Sequence, residues 1–316
     1  MSKAFASQGD MEEKTISFTE IGRDLWAFTA EGDPNTGVII GDDSVMIIDT
    51  QATPRMANMV IDKVRTVTDK PIKYVVLSHY HAVRVLGASA YNADQIIASD
   101  KCRAMVAERG QEDWESEFER FPRLFEGYEG IPGLTWPTHT FSDRMTIYLG
   151  KRRVDLMHLG RAHTAGDVVT YVPDAEVVFS GDVVEYHSAC YCGDGHFGDW
   201  GKTIDAIAAL KPKSIVPGRG DALVGEDMVA AALNNTRDFV ESTYRPAAAV
   251  AARGGSLKEA WDAVRAECDP KFAEYAIYEH CLPFNVARAY DEAQGIDTPR
   301  IWTAERDKEM WASLQG

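Results

Sequence analysis

The chain has 316 residues, 45% of them hydrophobic and 26% charged, the profile of a globular protein with about two folding units or one large unit and an appendage. Its 33 Lys and Arg against 49 Asp and Glu leave a net charge of −16, which argues against a nucleic-acid backbone or an anionic membrane as partner, since both need a basic surface. No apolar run is long enough to span a bilayer, the polar start MSKAFASQGDMEEKT has no apolar signal core, and five scattered cysteines form no CxxC pair, so the expectation is a cytoplasmic chain with reduced thiols.

From Ile16 to Asp49 the chain runs in short β segments, ISFTEI, LWAFTA, TGVIIG and SVMIID, parted by turn pairs such as Gly32-Asp33 and Asp42-Asp43, which predicts a β-meander. Pro54 opens a helical stretch in which Met56, Met59, Val60, Val64 and Val67 fall near i, i+3, i+4 spacing. The buried run IKYVVLS follows, so a β-α-β unit delivers the chain to His79. The segment from about Asp100 to Gly127 is charged and aromatic and reads as a helical excursion over one face, ending in the loop EGIPGLTWP. Strand character returns in MTIYLG, RRVDLMHL, DVVTYV and EVVFSG; a helix around Trp200 to Leu210 then leads to the short strand SIVPG. From about Glu226 onward, Ala-rich amphipathic stretches predict helices. The expected division is an α/β body over 1–225 and a helical region over 226–316 packed on it.

The informative residues sit at strand ends. His79-Tyr80-His81 follows a buried strand, and an i, i+2 pair on extended backbone can turn two imidazoles to one side. Gly160 to Asp167 forms a Gly-bounded turn carrying His163, and Phe179-Ser180-Gly181-Asp182 is another apolar strand ending in Gly-Asp. Three imidazoles and one carboxylate suit zinc or iron and leave room for water or substrate. Any one of these histidines alone is more often a packed or hydrogen-bonded residue; their combination carries the signal. His139, His158 and His280 have no motif around them. His158 reads as a sheet residue, and His280, with Tyr275, Tyr278 and Phe284, as part of a helix packing its apolar face on the body, which less often lines a pocket. The aromatic residues from Trp114 to Trp136 read as the packing of a lid.

In combination and order these segments resemble the metallo-β-lactamase superfamily: Asp49 closing a strand, His79-x-His81, the GxxHTxGD of residues 160 to 167, the SGD ending at Asp182, and VPGRGD at residues 216 to 221. The resemblance covers about residues 15 to 225. It implies an αββα sandwich with a helical C-terminal extension and metals held where the loops of the two sheets meet. It assigns His79, His81 and His163 to a three-histidine metal site and Asp182 to the carboxylate that commonly bridges two metals.

The departures from that pattern are informative. Where the family's first motif reads HxHxDH, this chain has Val83 in the Asp place and Arg84 in the last His place, and PGHG is here Pro217-Gly218-Arg219-Gly220. The distinctive ligands of the second metal are therefore absent, and arginine cannot ligate. The expectation is one divalent metal per chain, zinc ahead of iron, with Arg84 and Arg219 replacing the second ion and offering forks to an anionic substrate. An alternative reading pairs those arginines internally with Asp182. Val83 cannot orient water, so hydrolysis of an ester, thioester or lactone would use metal-bound hydroxide alone or another base, for which Asp182, His187 and His196 are the candidates. The segment from Tyr186 to His196 is expected to lie over the metal. The competing readings are a mononuclear non-haem iron oxygenase using His79, His163 and Asp182, and a non-catalytic protein that holds an anion. A homodimer is permitted but not required.

Overall fold

A computed structural model describes residues 6–315 of the chain. The predicted meander is β1 (Ser17–Gly22), β2 (Leu25–Thr29), β3 (Thr36–Ile40) and β4 (Val45–Ile48), all antiparallel neighbours. Helix α1 (Pro54–Arg65) then carries the chain to β5 (Ile72–Val76), parallel to β4. Thr53 caps α1 by accepting the Met56 N–H, and Pro54 begins it where a missing N–H costs nothing. Its buried stripe is Ala57, Val60 and Val64; Met59 is 39% exposed, and Val67 lies beyond the helix end and is 37% exposed, so the apolar face is narrower than the spacing predicted.

Beyond β5, a short helix α2 (Ala82–Val85) and a 3-10 turn lead to β6 (Gln95–Ser99), the long helix α3 (Asp100–Arg120) and β7 (His139–Phe141). The first sheet has the order β1-β2-β3-β4-β5-β6-β7. Strands β6 and β7 were not anticipated: QIIAS and HTF are too short and too polar at their ends to stand out from loop.

The second sheet has the order β13-β12-β11-β10-β9-β8, from β8 (Arg144–Leu149), β9 (Arg152–Met157), β10 (Val169–Val172), β11 (Val177–Gly181), β12 (Ser214–Pro217) and β13 (Leu223–Val224). Helix α4 (Phe197–Ala209) makes the crossover between the parallel pair β11 and β12. The chain closes with α5 (Glu226–Ala252), α6 (Leu257–Phe272), α7 (Tyr278–Ala293) and α8 (Ala304–Gln315).

Side-chain alternation explains the layers. Along β4, Met46 and Ile48 enter the core between the sheets, where they meet Phe179 and Val216, whereas Val45 and Ile47 face α1 and α3. Along β11, Val177 and Phe179 face inward while Val178 joins the outer core beneath α4 and the C-terminal helices. Two sheets between helical layers result, and the C-terminal ends of β4, β5, β11 and β12 open on one edge, where an α/β sheet presents its ligand-binding loops. Among the described residues no helix is long and apolar enough to cross a membrane.

Candidate metal centre

The strand β5 delivers Ser78, His79, Tyr80 and His81 to that edge. Asp49, just past β4, accepts the Ser78 N–H at 2.8 Å and its hydroxyl at 2.7 Å. The Ser78 oxygen, its own proton spent on Asp49, accepts from His79 Nδ1 at 2.9 Å. His163 Nδ1 donates to the Tyr191 carbonyl at 2.8 Å, and His81 Nε2 to Asp194 Oδ2 at 3.1 Å. These partners fix each tautomer and leave the opposite nitrogen of each ring as a lone pair.

The three lone pairs converge. His163 Nε2 lies 3.2 Å from His79 Nε2 and 3.0 Å from His81 Nδ1, and all three rings are essentially buried. Three inner lone pairs this close repel unless a proton or a metal ion sits among them. Three imidazoles with outer N–H groups anchored on a serine hydroxyl, a carbonyl and a carboxylate are a donor set that fits zinc and leaves a position for water or substrate. Burial and the neighbouring imidazoles hold His79 well below the ordinary histidine range, and burial brings His163 down to about 3. Burial also opposes a charge on His81, but Asp113 and Asp194 outweigh it and pull that ring up to about 9, so a metal at its Nδ1 displaces a proton.

Asp182 stands beside the triad, its Oδ2 lying 3.8 Å from His79 Nε2 and 3.6 Å from His163 Nε2. Its other flank belongs to the two arginines. Arg84 Nη2 makes a short contact with Oδ1, and Arg219 Nη1 donates to Oδ2 at 3.0 Å. Burial would raise the Asp182 carboxyl, but Arg84 first and then His163 and Arg219 hold it below the usual range. Gly218 makes this fit possible, because a Cβ there would overlap Asp182 Oδ1 and crowd the Arg84 guanidinium. Arg84 is fully buried and also donates to the Asn35 carbonyl at 3.2 Å. Arg219, by contrast, lines a cavity of about 10 Å³ together with His81, His163 and Asp182, and Arg84 is not among its walls.

The remaining candidates lie apart from that cavity. His187 is exposed, with φ +49°, and stacks on Tyr186. His196 is buried at the start of α4, where burial and then Arg161 and Arg288 bring it down to about 4. The segment containing them does lie over the centre, but through Tyr191 and Asp194. His158 follows β9 and bonds the Asp167 carbonyl, whereas His280 of α7 is a wall of the cavity.

Helix α3 supplies what sequence reasoning missed. Asp113 accepts the Ala82 N–H at 2.7 Å and Glu117 the Val83 N–H at 2.8 Å, so two carboxylates hold the first turn of α2 beside His81. Arg109 donates to Asp194 at 3.0 Å, and Glu117 and Arg120 both reach the cavity. The available signal was a charged stripe, Arg109, Asp113, Glu117 and Arg120, recurring at helical spacing. Such a stripe ordinarily marks a solvated face.

Two sheets flanked by helices, with three histidines gathered at the loop edge, define an α/β protein with a candidate metal site. The family model described as metallo-beta-lactamase superfamily matches residues 29–219, and the chain belongs to that superfamily. It is 29% identical over 119 residues to a metallo-beta-lactamase type 2 of Bacteroides fragilis, covering 36% of this chain and 47% of that one. It is 22% identical over 235 residues to a linear primary-alkylsulfatase of Pseudomonas sp. (strain ATCC 19151), covering 64% and 44%. The chain thus spans about half the length of these curated relatives. Among solved structures, a metallo-beta-lactamase from Pontibacter korlensis superposes with a TM-score of 0.57 at 19% identity, over 72% of this chain and 99% of that one. The metallo-beta-lactamase FIM-1 from Pseudomonas aeruginosa, in its mono-zinc form, gives 0.56 at 17% identity, over 73% and 97%. These superpositions establish the sandwich and leave α5–α8 as an addition to it.

Proposed function

We propose that the protein is a mononuclear, metal-dependent hydrolase of a small anionic ester, thioester or lactone. The observation that carries this reading is the convergence of three imidazole lone pairs beside Asp182, with Arg84 on the carboxylate's far oxygen and Arg219 on the oxygen that faces the triad. His79, His81 and His163 would hold the ion, and Asp182 Oδ2 is the nearest further donor. A bound divalent ion supplies Lewis acidity and lowers the pKa of water to about 7. Arg84 and Arg219 supply the positive charge of a second ion in fixed form. Arg84 is spent on Asp182 and the Asn35 carbonyl, so of the two only Arg219 is placed to meet substrate.

Val83 leaves the position of the water-orienting carboxylate apolar, and Glu117 is the substitute this fold offers. Its Oε2 is held by the Val83 N–H itself, and its side chain walls the cavity shared with His81 and His163. Asp182, locked between arginines, is a poorer base, and His187 and His196 do not reach the cavity. The oxygenase reading would leave His81 outside the ligand set, yet its Nδ1 lies 3.0 Å from His163 Nε2.

The test is to assay zinc-loaded protein against carboxylate-bearing esters, thioesters and lactones, with alkyl sulfates added because one relative is named as an alkylsulfatase. Turnover that falls about 100-fold or more in Glu117→Gln, with zinc retained, is the expected result. Oxygen uptake by an iron-loaded form, or no turnover at all, would overturn the proposal.

A further inference from the structure

The triad has no open way in. Its rings are at most 2% exposed, Asp182 is 3% and Arg219 4% exposed, and the cavity beside them holds about 10 Å³, room for one water. A substrate must therefore displace part of the wall. Every wall residue is buried except Ile277, which is partly exposed and so separates the cavity from solvent. Ile277 ends the joint between α6 and α7, residues 273–277, each of them at least partly exposed and all outside the matched residues 29–219. Its side chain packs against two separate apolar cores, that of the C-terminal helices and that on the outer face of the first sheet, and so closes the seam between them.

The joint is tied to the loop before Tyr191 through one residue. Ala276 donates its N–H to the His187 carbonyl at 3.2 Å, accepts the Ala189 N–H at 2.9 Å, and forms an isolated parallel bridge with Ser188. The residues flanking that bridge, His187 at φ +49° and Ile277 at φ +54°, both sit in the left-handed region, which a β-branched side chain strongly disfavours. Breaking the bridge lets both relax. Across the seam Gly32 packs on Ala276, so closely that a Cβ on Gly32 would lie 2.5 Å from the Ala276 methyl. The turn carrying Gly32 is fixed: Asp33 accepts from both Arg123 Nη groups at 2.5 and 2.8 Å, and Asn35 Nδ2 donates to the Pro217 and Gly220 carbonyls at 2.9 and 2.8 Å. The side free to move is the joint.

We infer that Ile277 is the plug of the substrate entrance and selects substrates by size. The Ser188 bridge to Ala276 breaks, and residues 276 and 277 swing outward about Tyr275, whose hydroxyl stays bonded to Asn235 Nδ2 of α5 at 2.6 Å. The space vacated at position 277 then sets how large a group reaches the triad. The inference rests on the hydrolase reading for what enters; the gate itself is a property of the fold.

The experiment labels the metal-stripped full chain with diethyl pyrocarbonate, which acylates neutral imidazoles and is too large for the closed cavity. Mass spectrometry follows His79 and His163, both held neutral, against exposed His139 as the reference. The wild type is set beside Ile277→Gly, where glycine suits the positive φ and removes the plug. The second variant combines Ser188→Cys with Ala276→Cys, on paired backbones about 4.8 Å apart, a spacing that a disulfide spans. The native thiols are all buried, which leaves that bond to the added pair. In the wild type the two histidines should label far more slowly than His139. Ile277→Gly should speed them about tenfold or more, and the oxidised double variant should slow them about tenfold, with the wild-type rate restored on reduction. On zinc-loaded protein, Ile277→Gly should raise kcat/KM for bulky esters more than for small ones. Wild-type labelling as fast as that of His139, or a rate that neither variant moves, would overturn the gate whatever the enzyme hydrolyses. Gated labelling without turnover of any substrate would sink the hydrolase reading and spare the gate.

Discussion

The two flanks of Asp182 solve the same electrostatic problem by different chemistry. On one flank three imidazoles present lone pairs, and their outer nitrogens are tied to Ser78, Tyr191 and Asp194. On the other, Arg84 and Arg219 bring fixed positive charge to the same carboxylate. On the proposed reading, the first flank holds the one ion and the second supplies the charge of another in fixed form.

That contrast is sharpest in what substitution should cost. Arg84→Met leaves Asp182 Oδ1 buried without its cation, and breaking a buried pair by removing one partner costs about 3–5 kcal/mol. Urea unfolding should show that loss, and a stability within about 0.5 kcal/mol of the wild type would mean that Arg84 is not structural. Asp194→Asn, on the opposite flank, also unpairs the buried Arg109 and costs stability, but its distinguishing effect should be zinc binding weakened about tenfold, because His81 loses the charge that orients and polarises it. Competition with a chelating dye measures this, and unchanged affinity would put Asp194 outside the centre.

A smaller effect separates the centre from its surroundings. His196 is buried and neutral, with its pKa brought down from 6.5 to about 4. The unfolded chain takes up a proton there that the folded chain refuses, so the contribution of this residue to stability is full above 6.5 and is lost as pH falls toward 4. Replacement by Gln should flatten the melting temperature between those values by about 2–5 °C. An unaltered slope would assign the acid sensitivity to other groups.

How much of this was legible follows from distance along the chain. The histidines and Asp182 were readable because each sits in a short motif beside an apolar strand, and the layers followed from two-residue alternation in segments such as VMII and VVFSG. The pairing of Arg84 with Asp182 was weighed as a possibility, but its geometry depends on Gly218 bringing a third loop close. Glu117 and Arg120 were hidden for a different reason. A charged stripe on a helix looks the same whether it faces water or a buried metal centre, and only the packing of α3 against α2 and α8 decides which. His280 likewise depends on where α7 docks, which no local pattern encodes.

The central claim, one ion held by three histidines with arginines in place of a second, is tested most directly by zinc titration of the metal-stripped protein in a calorimeter, beside Val83→Asp, Arg84→His, Arg219→His combined in one chain. The account predicts one equivalent for the wild type and two for the triple variant. Two equivalents in the wild type, or one in a folded triple variant, would contradict it.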